Sequence, residues 1–213
     1  TNTNTLSLHD ALPIYPSEPP MFCMLMRKHI EGGFIQSIEQ NDFERIITFT
    51  IESTNEIGDK VIRKLIIEIM GRHSNCILTD AANDHIIDSL KHLSPSVNSY
   101  RTVLPGQNYI APPNQNKKNP LSLQNDEVKA FIQEENPASV IIQSIAGFSP
   151  LHANELITRL NNGESYESYV EQLINGAMPN YTEVNGKGYF SSAELTHLEG
   201  TVERYPSLST LLD

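Results

Sequence analysis

Tryptophan is absent, cysteine occurs only twice, and no apolar run is long enough to cross a bilayer. Without tryptophan, and with aromatics at 7%, a core has to rest on Ile, Leu, Val and Met. The two thiols, Cys23 and Cys76, each sit in an apolar run outside any CxxC or Cys/His cluster. This argues against a disulfide framework or a zinc site and reads as two buried thiols in a cytoplasmic protein. The N-terminus has no basic n-region, and Asp10 and Pro13 interrupt its apolar stretch, so a signal peptide is not expected.

Basic residues are the other shortage. There are 15 Lys and Arg against 26 Asp and Glu, a net charge of −11. Residues 1–100 carry −5 and residues 101–213 carry −6, so the acid is not gathered in a tail. Broad electrostatic binding of nucleic acid is thereby disfavoured, which leaves room only for a small local basic patch. Catalytic patterns are missing too: no nucleophile–base–orienter set, no metal-ligand spacing and no phosphate-cradling glycine loop. The chain reads as a non-enzyme without metal or cofactor.

What is present is 213 residues of ordinary globular composition, 38% hydrophobic, enough for one or two domains. Residues 1–15 carry no clear period and do not begin with Met; they read as a non-native or disordered leader. "SEPPMFCMLMRKHIEGG" predicts a helix, with Pro19 and Pro20 at its start and Gly32 or Gly33 at its end. Phe22, Leu25, Met26 and Ile30 share one face of it, as a core stripe would. Four β-type runs follow, at 45–53, 62–70, 75–80 and 85–90, and predict a meander. The Pro- and Asn-rich stretch 101–122 reads as a loop. Helical patterns occupy 126–134, 137–146, 150–161 and 165–175. Strand-and-turn chemistry then returns, with "NGKG" a hairpin candidate, and "PSLSTLLD" starts a further helix. The expected domains are a core at 16–112, a linker and all-α insert at 113–178, and strands returning to the core at 179–213.

If 45–53 and 62–70 pair about Gly58, matching apolar faces puts Ile47 beside Ile69, Phe49 beside Ile67 and Ile51 beside Leu65. Thr48 then meets Glu68, Ile46 meets Met70, and Glu44 meets Arg72 in an ion pair. "FER" and "EIMGRH" share one end of the sheet. Two readings stand: a solvated salt bridge capping a strand end, or an exposed edge whose Arg45 forks onto a phosphate. "GFSP" raises a similar pair of readings. Gly147, Phe148 and Ser149 join two helices in a helix-hairpin-helix-like turn, which is either structural or a possible phosphate-binding hairpin.

Long motifs decide between these at the level of likeness. "PPMFCMLMRKHIEGGFI", "EIGDKVIRKLIIEIMGRHSNCILTD", "SLKHLSPSVNSYRTVLPGQNY", "GFSPLHANEL" and "ELTHLEG" together resemble the NFACT family, across about residues 17–213. The resemblance implies an α+β NFACT-N domain, a β-meander or sandwich with packed helices, like the N-domain of formamidopyrimidine-DNA glycosylases. It also implies an inserted all-α helix-hairpin-helix unit. It implies binding to a large (50S) ribosomal subunit that carries stalled peptidyl-tRNA. Recruitment of alanine tRNA for template-free C-terminal alanine tailing would follow, with the ribosome supplying the chemistry. The family's Asp-Arg pair falls at Glu44 and Arg45, and its Glu-Ile-Met motif at Glu68, Ile69 and Met70. With Arg72 and His73 these are the candidate tRNA-binding residues. Family members continue into a coiled coil and a C-terminal domain that do not occur here, so a fragment is expected. An older family label implies the alternative of a fibronectin- or fibrinogen-binding surface adhesin. A glycosylase activity is not expected, since no N-terminal nucleophile with a neighbouring acid is identifiable.

Overall fold

The computed structural model describes residues 18–113, 115–176 and 178–212, so the leader inferred at 1–15 lies outside the described residues. The chain divides into two compact units. The first holds the described residues up to Asn41 and those from Arg45 to Pro113; the second holds Asp42–Glu44 and the residues from 115 onward.

The first unit is an antiparallel five-stranded meander, β1-β2-β3-β4-β5: β1 Phe34–Gln40, β2 Ile46–Thr54, β3 Lys60–Glu68, β4 Asn75–Asp80 and β5 Ile86–Ser89. Helix α1, Met21–Ile30, precedes it and packs against β2 and β5. Its inward positions are Phe22, Leu25, Met26 and Ile30, all half-buried, while Met21 and Met24 face out. Arg27, Lys28 and His29 fill its last turn, where positive charge suits the dipole.

The strand at 34–40 was not expected. Its sequence, FIQSIEQ, is largely polar, and as an edge strand it leaves Phe34, Ile35 and Ile38 exposed. A bulge between Ile35 and Ser37 interrupts its ladder, a common way for edges to resist further pairing. In the middle of the sheet, β2 and β3 are at least half-buried on both faces. The segment 91–110 closes one face, where Val103 and Leu93 pack on Ile46, Ile66, Ile77 and Ile86. This segment is bolted down rather than loose: Leu93 and Val103 exchange both backbone hydrogen bonds.

Helix α1 hands over to β1 through Gly32, at φ +74°, and Gly33. A Cβ on Gly33 would lie 2.9 Å from the Glu52 carbonyl oxygen and 2.9 Å from Ile51 Cγ2. Backbone cannot retreat as a flexible side chain can. Gly33→Ala is therefore expected to cost the first unit about 1–3 kcal/mol, read as a lower urea midpoint at unchanged m-value. A wild-type midpoint would mean that the β1–β2 pair can part without loss.

The second unit opens with a short 3-10 turn at Pro120–Ser122 and continues with four helices: α2 Asn125–Phe131, α3 Pro137–Ser144, α4 Pro150–Asn161 and α5 Tyr166–Asn175. Their starts follow local chemistry: a capping box between Gln124 and Glu127, and Asn136, Ser149 and Ser165 as side-chain caps. The core is built around Ile141, Ile145, Leu156, Tyr166 and Tyr169. Strands β6 Asn180–Val184, β7 Lys187–Ser191 and β8 Thr201–Arg204 follow, then helix α6 Leu208–Leu212. Asn185 and Gly186, both at positive φ, make the two-residue hairpin turn between β6 and β7. These strands do not rejoin the first sheet. They form a three-stranded sheet of their own, ordered β7-β6-β8.

Candidate functional site

The site begins with the register of β2 and β3. The observed pairs are Ile46 with Glu68, Ile47 with Ile67, Phe49 with Leu65 and Thr54 with Lys60. This is two residues away from the register that a turn centred on Gly58 would impose. The turn centres instead on Ile57, because the Asn55 side chain accepts from both Ile57 N (3.1 Å) and Asp59 N (2.8 Å). A shift of two keeps every side chain on its predicted face, so the apolar pattern alone could not detect it. The ladder now ends at Ile46/Glu68, and the pairing that suggested a Glu44–Arg72 contact is gone. Glu44 is half-buried and belongs to the second unit.

The two motifs nevertheless meet in the first unit. Ile69 N donates to the Arg45 carbonyl at 2.8 Å, one step beyond the last strand pair. Arg45 is exposed, and Ile69 is 49% exposed beside it. The chain then turns through Gly71–His73, with Gly71 at φ +57° and Met70 N held by the Ser74 hydroxyl at 2.8 Å. Arg72 and His73 project from this turn into solvent. Arg72 Nε donates to His73 Nε2 at 3.0 Å. Met70 points the other way, onto the core under the sheet.

Glu68 corrects the expected picture most sharply. It is 0% exposed and cannot touch a partner directly. Its face of the sheet is the one covered by residues 91–110, and from that segment Arg101 grips it with both guanidinium nitrogens at 2.6 Å each. Tyr109 donates to the same carboxylate at 2.9 Å. Burial, with the Glu68 carboxylate alongside, pushes the Tyr109 phenol well above its ordinary range, so it stays a donor. Arg101 also donates to the Ile110 carbonyl at 2.9 Å. Glu68 thus anchors the covering segment and holds the strand end on which Ile69 sits. Sequence reading missed Arg101 and Tyr109 because both lie in a stretch that looks like loop.

The hairpin residues Gly147, Phe148 and Ser149 sit together in the second unit, between α3 and α4. Gly147 is exposed at φ +80°. Phe148 is core, 9% exposed, so its ring is not a ligand contact. Ser149 Oγ accepts from His152 N as the cap of α4. Among the described residues no group of His, Cys, Asp and Glu could hold a metal ion, and no helix is long and apolar enough to cross a membrane.

The family described as NFACT N-terminal and middle domains matches residues 3–213. The chain belongs to this family. It is 54% identical over 207 residues to the Rqc2 homolog RqcH of Bacillus subtilis, covering 93% of this chain and 36% of that protein. A solved fibrinogen binding protein from Staphylococcus aureus superposes with a TM-score of 0.78 at 38% identity, over 92% of this chain and 75% of that one. The N-terminal part of the fibronectin/fibrinogen-binding protein from Streptococcus suis gives 0.77 at 32% identity, over 93% and 73%. The mixed α+β architecture with antiparallel sheets is that of these NFACT structures. The chain spans about a third of the length of the curated relatives it matches.

Proposed function

We propose that this NFACT chain is the RNA-contacting part of a ribosome-associated quality-control factor. In this reading it acts in the cytoplasm on a large ribosomal subunit that carries stalled peptidyl-tRNA. It recruits alanine tRNA for template-free C-terminal alanine tailing, while the ribosome supplies the peptidyl-transfer chemistry and the chain itself is not an enzyme. The observation that supports it best is the strand end where the two family motifs adjoin, with Arg45 exposed and its carbonyl bonded to Ile69 N. A guanidinium there is free to fork onto a phosphate or stack on a base. Arg72 and His73 extend the same edge. The helix pair α3–α4 serves as a helix-hairpin-helix insert, and the first unit is read as related to glycosylase N-domains in topology only. The net charge of −11 suits selective contact at one patch rather than general RNA affinity.

Arg45→Ala in the full-length protein tests this. Alanine tails on stalled chains are expected to fall at least tenfold while thermal unfolding stays at the wild-type temperature. Wild-type tailing by the folded variant would overturn the reading. Co-sedimentation with large subunits, followed by sequencing of the bound tRNA, reports the partner directly.

A second reading, a fibronectin- or fibrinogen-binding surface protein, is favoured by what the two solved relatives are said to bind. It requires the protein outside intact cells, with saturable fibronectin binding there.

A further inference from the structure

We propose that Lys91 completes a phosphate-binding site with Arg72 at the β3–β4 turn, and that its ligand is the backbone of the RNA that the turn faces. The inference rests on the reading of this edge as an RNA surface and adds to it a residue from a different strand connection.

Lys91 is exposed just after β5, yet its backbone is clamped. Asn75, only 5% exposed, donates from Nδ2 to the Lys91 carbonyl and accepts from Lys91 N, both at 2.8 Å. Ser89 Oγ donates to the same carbonyl at 3.0 Å. An asparagine side chain thereby imitates a strand and stitches the residue that starts β4 to Lys91, two residues beyond β5. Fixing the stem limits where the head can go. Lys91 Nζ donates to the Arg72 carbonyl at 3.1 Å, which lays the ammonium across the turn that carries the Arg72 guanidinium and His73. One of three ammonium protons is used in this bond; the others are available to an incoming oxygen anion.

The charge pattern points the same way. In a chain with 26 Asp and Glu, none occurs between residues 69 and 79 and none between 89 and 113. These are the two stretches that Asn75 joins. The acids bordering them are already engaged. Glu68 is buried against Arg101. Asp88, 6% exposed, accepts from Ser89 N at 2.8 Å and meets His92 Nε2 at 2.7 Å. Neither stretch carries an acid, and Arg72 and Lys91 are exposed on them. Two cations of different geometry, a fork and a point charge, on adjoining loops suit a phosphodiester better than a carboxylate, which one guanidinium saturates.

The test is a tRNA titration with the full-length protein, using an alanine tRNA transcript across roughly 50–200 mM KCl. Wild type, Lys91→Ala, Lys91→Arg and Arg45→Ala are compared. Lys91→Ala is expected to weaken binding about fivefold to tenfold and to lower the salt slope by about one, with Lys91→Arg close to wild type. If Arg45→Ala weakens binding and Lys91→Ala does not, the inference is overturned and the RNA reading of the edge survives. If Lys91→Ala weakens binding at an unchanged salt slope, Lys91 only braces the turn, and the inference is again overturned. If neither variant changes binding, the RNA reading fails as well.

Discussion

Glu68→Ala is expected to destabilise the first unit by about 3–5 kcal/mol, the loss typical of breaking a buried ion pair from one side. The variant leaves Arg101, 7% exposed, with its charge unpaired and only the Ile110 carbonyl to bond, and removes the acceptor of the Tyr109 hydroxyl. Urea unfolding followed by a first-unit probe measures it. Replacing both charges, Glu68→Leu with Arg101→Met, is expected to recover most of the loss, because apolar pairs of similar volume often match buried ion pairs. If Glu68→Ala unfolds at the wild-type midpoint, the anchoring role assigned to this residue is wrong. The experiment also decides how functional data at this position should be read. A glutamate that touches RNA and one that supports the strand end both abolish activity when removed. Only the second lowers the midpoint, and only the second is relieved by the paired apolar substitution. Arg45→Ala, at an exposed position, should show the opposite pattern, with activity lost and stability kept.

The difference between these two residues was not legible in the sequence. Arg45 and Glu68 both sit in polar-looking strand ends, and the apolar alternation of β2 and β3 set their faces correctly. What decides their roles is the cover over one face of the sheet, which comes from Arg101, 33 residues beyond Glu68. No local period encodes such a pairing, and proline with asparagine disguised the segment as loop. The two-residue register error has the same origin: faces repeat every second residue, while the turn was fixed by the Asn55 side chain. Elements with local signals fared better. Helix α4 is bounded at 150–161 as expected, since Ser149 caps it and Pro150 occupies its first position. Strand β1 was lost because an edge strand exposes most of its side chains and carries no clean alternation. Strands β6–β8 showed their turns but not their partners, because strand chemistry alone does not say which sheet a strand joins.

The second unit should have an acid limit set by one carboxylate. Glu155 is 0% exposed, and burial alone would raise its pKa. Instead it is held at about 2, because His197 donates from its backbone N at 3.0 Å and meets the same oxygen through Nδ1 at 2.7 Å. Arg159 Nε and the Thr196 hydroxyl, at 2.5 and 2.8 Å, add to this. A folded pKa below the ordinary carboxylate value near 4.5 gives stability that is fully present above pH 4.5 and is lost as pH falls towards 2. The depression corresponds to roughly 3 kcal/mol at neutral pH. Glu155→Gln should therefore cost a similar amount at pH 7, and less than the full penalty of an orphaned arginine, since Arg159 keeps Glu164, Gln172 and the Glu194 carbonyl. Denaturant midpoints of wild type and variant are expected to converge between pH 4.5 and 2. Exposed carboxylates titrate in both proteins alike, so their difference isolates Glu155. Parallel curves through that window would show that the carboxylate contributes nothing by its charge, and that His197 and Arg159 are held by packing instead.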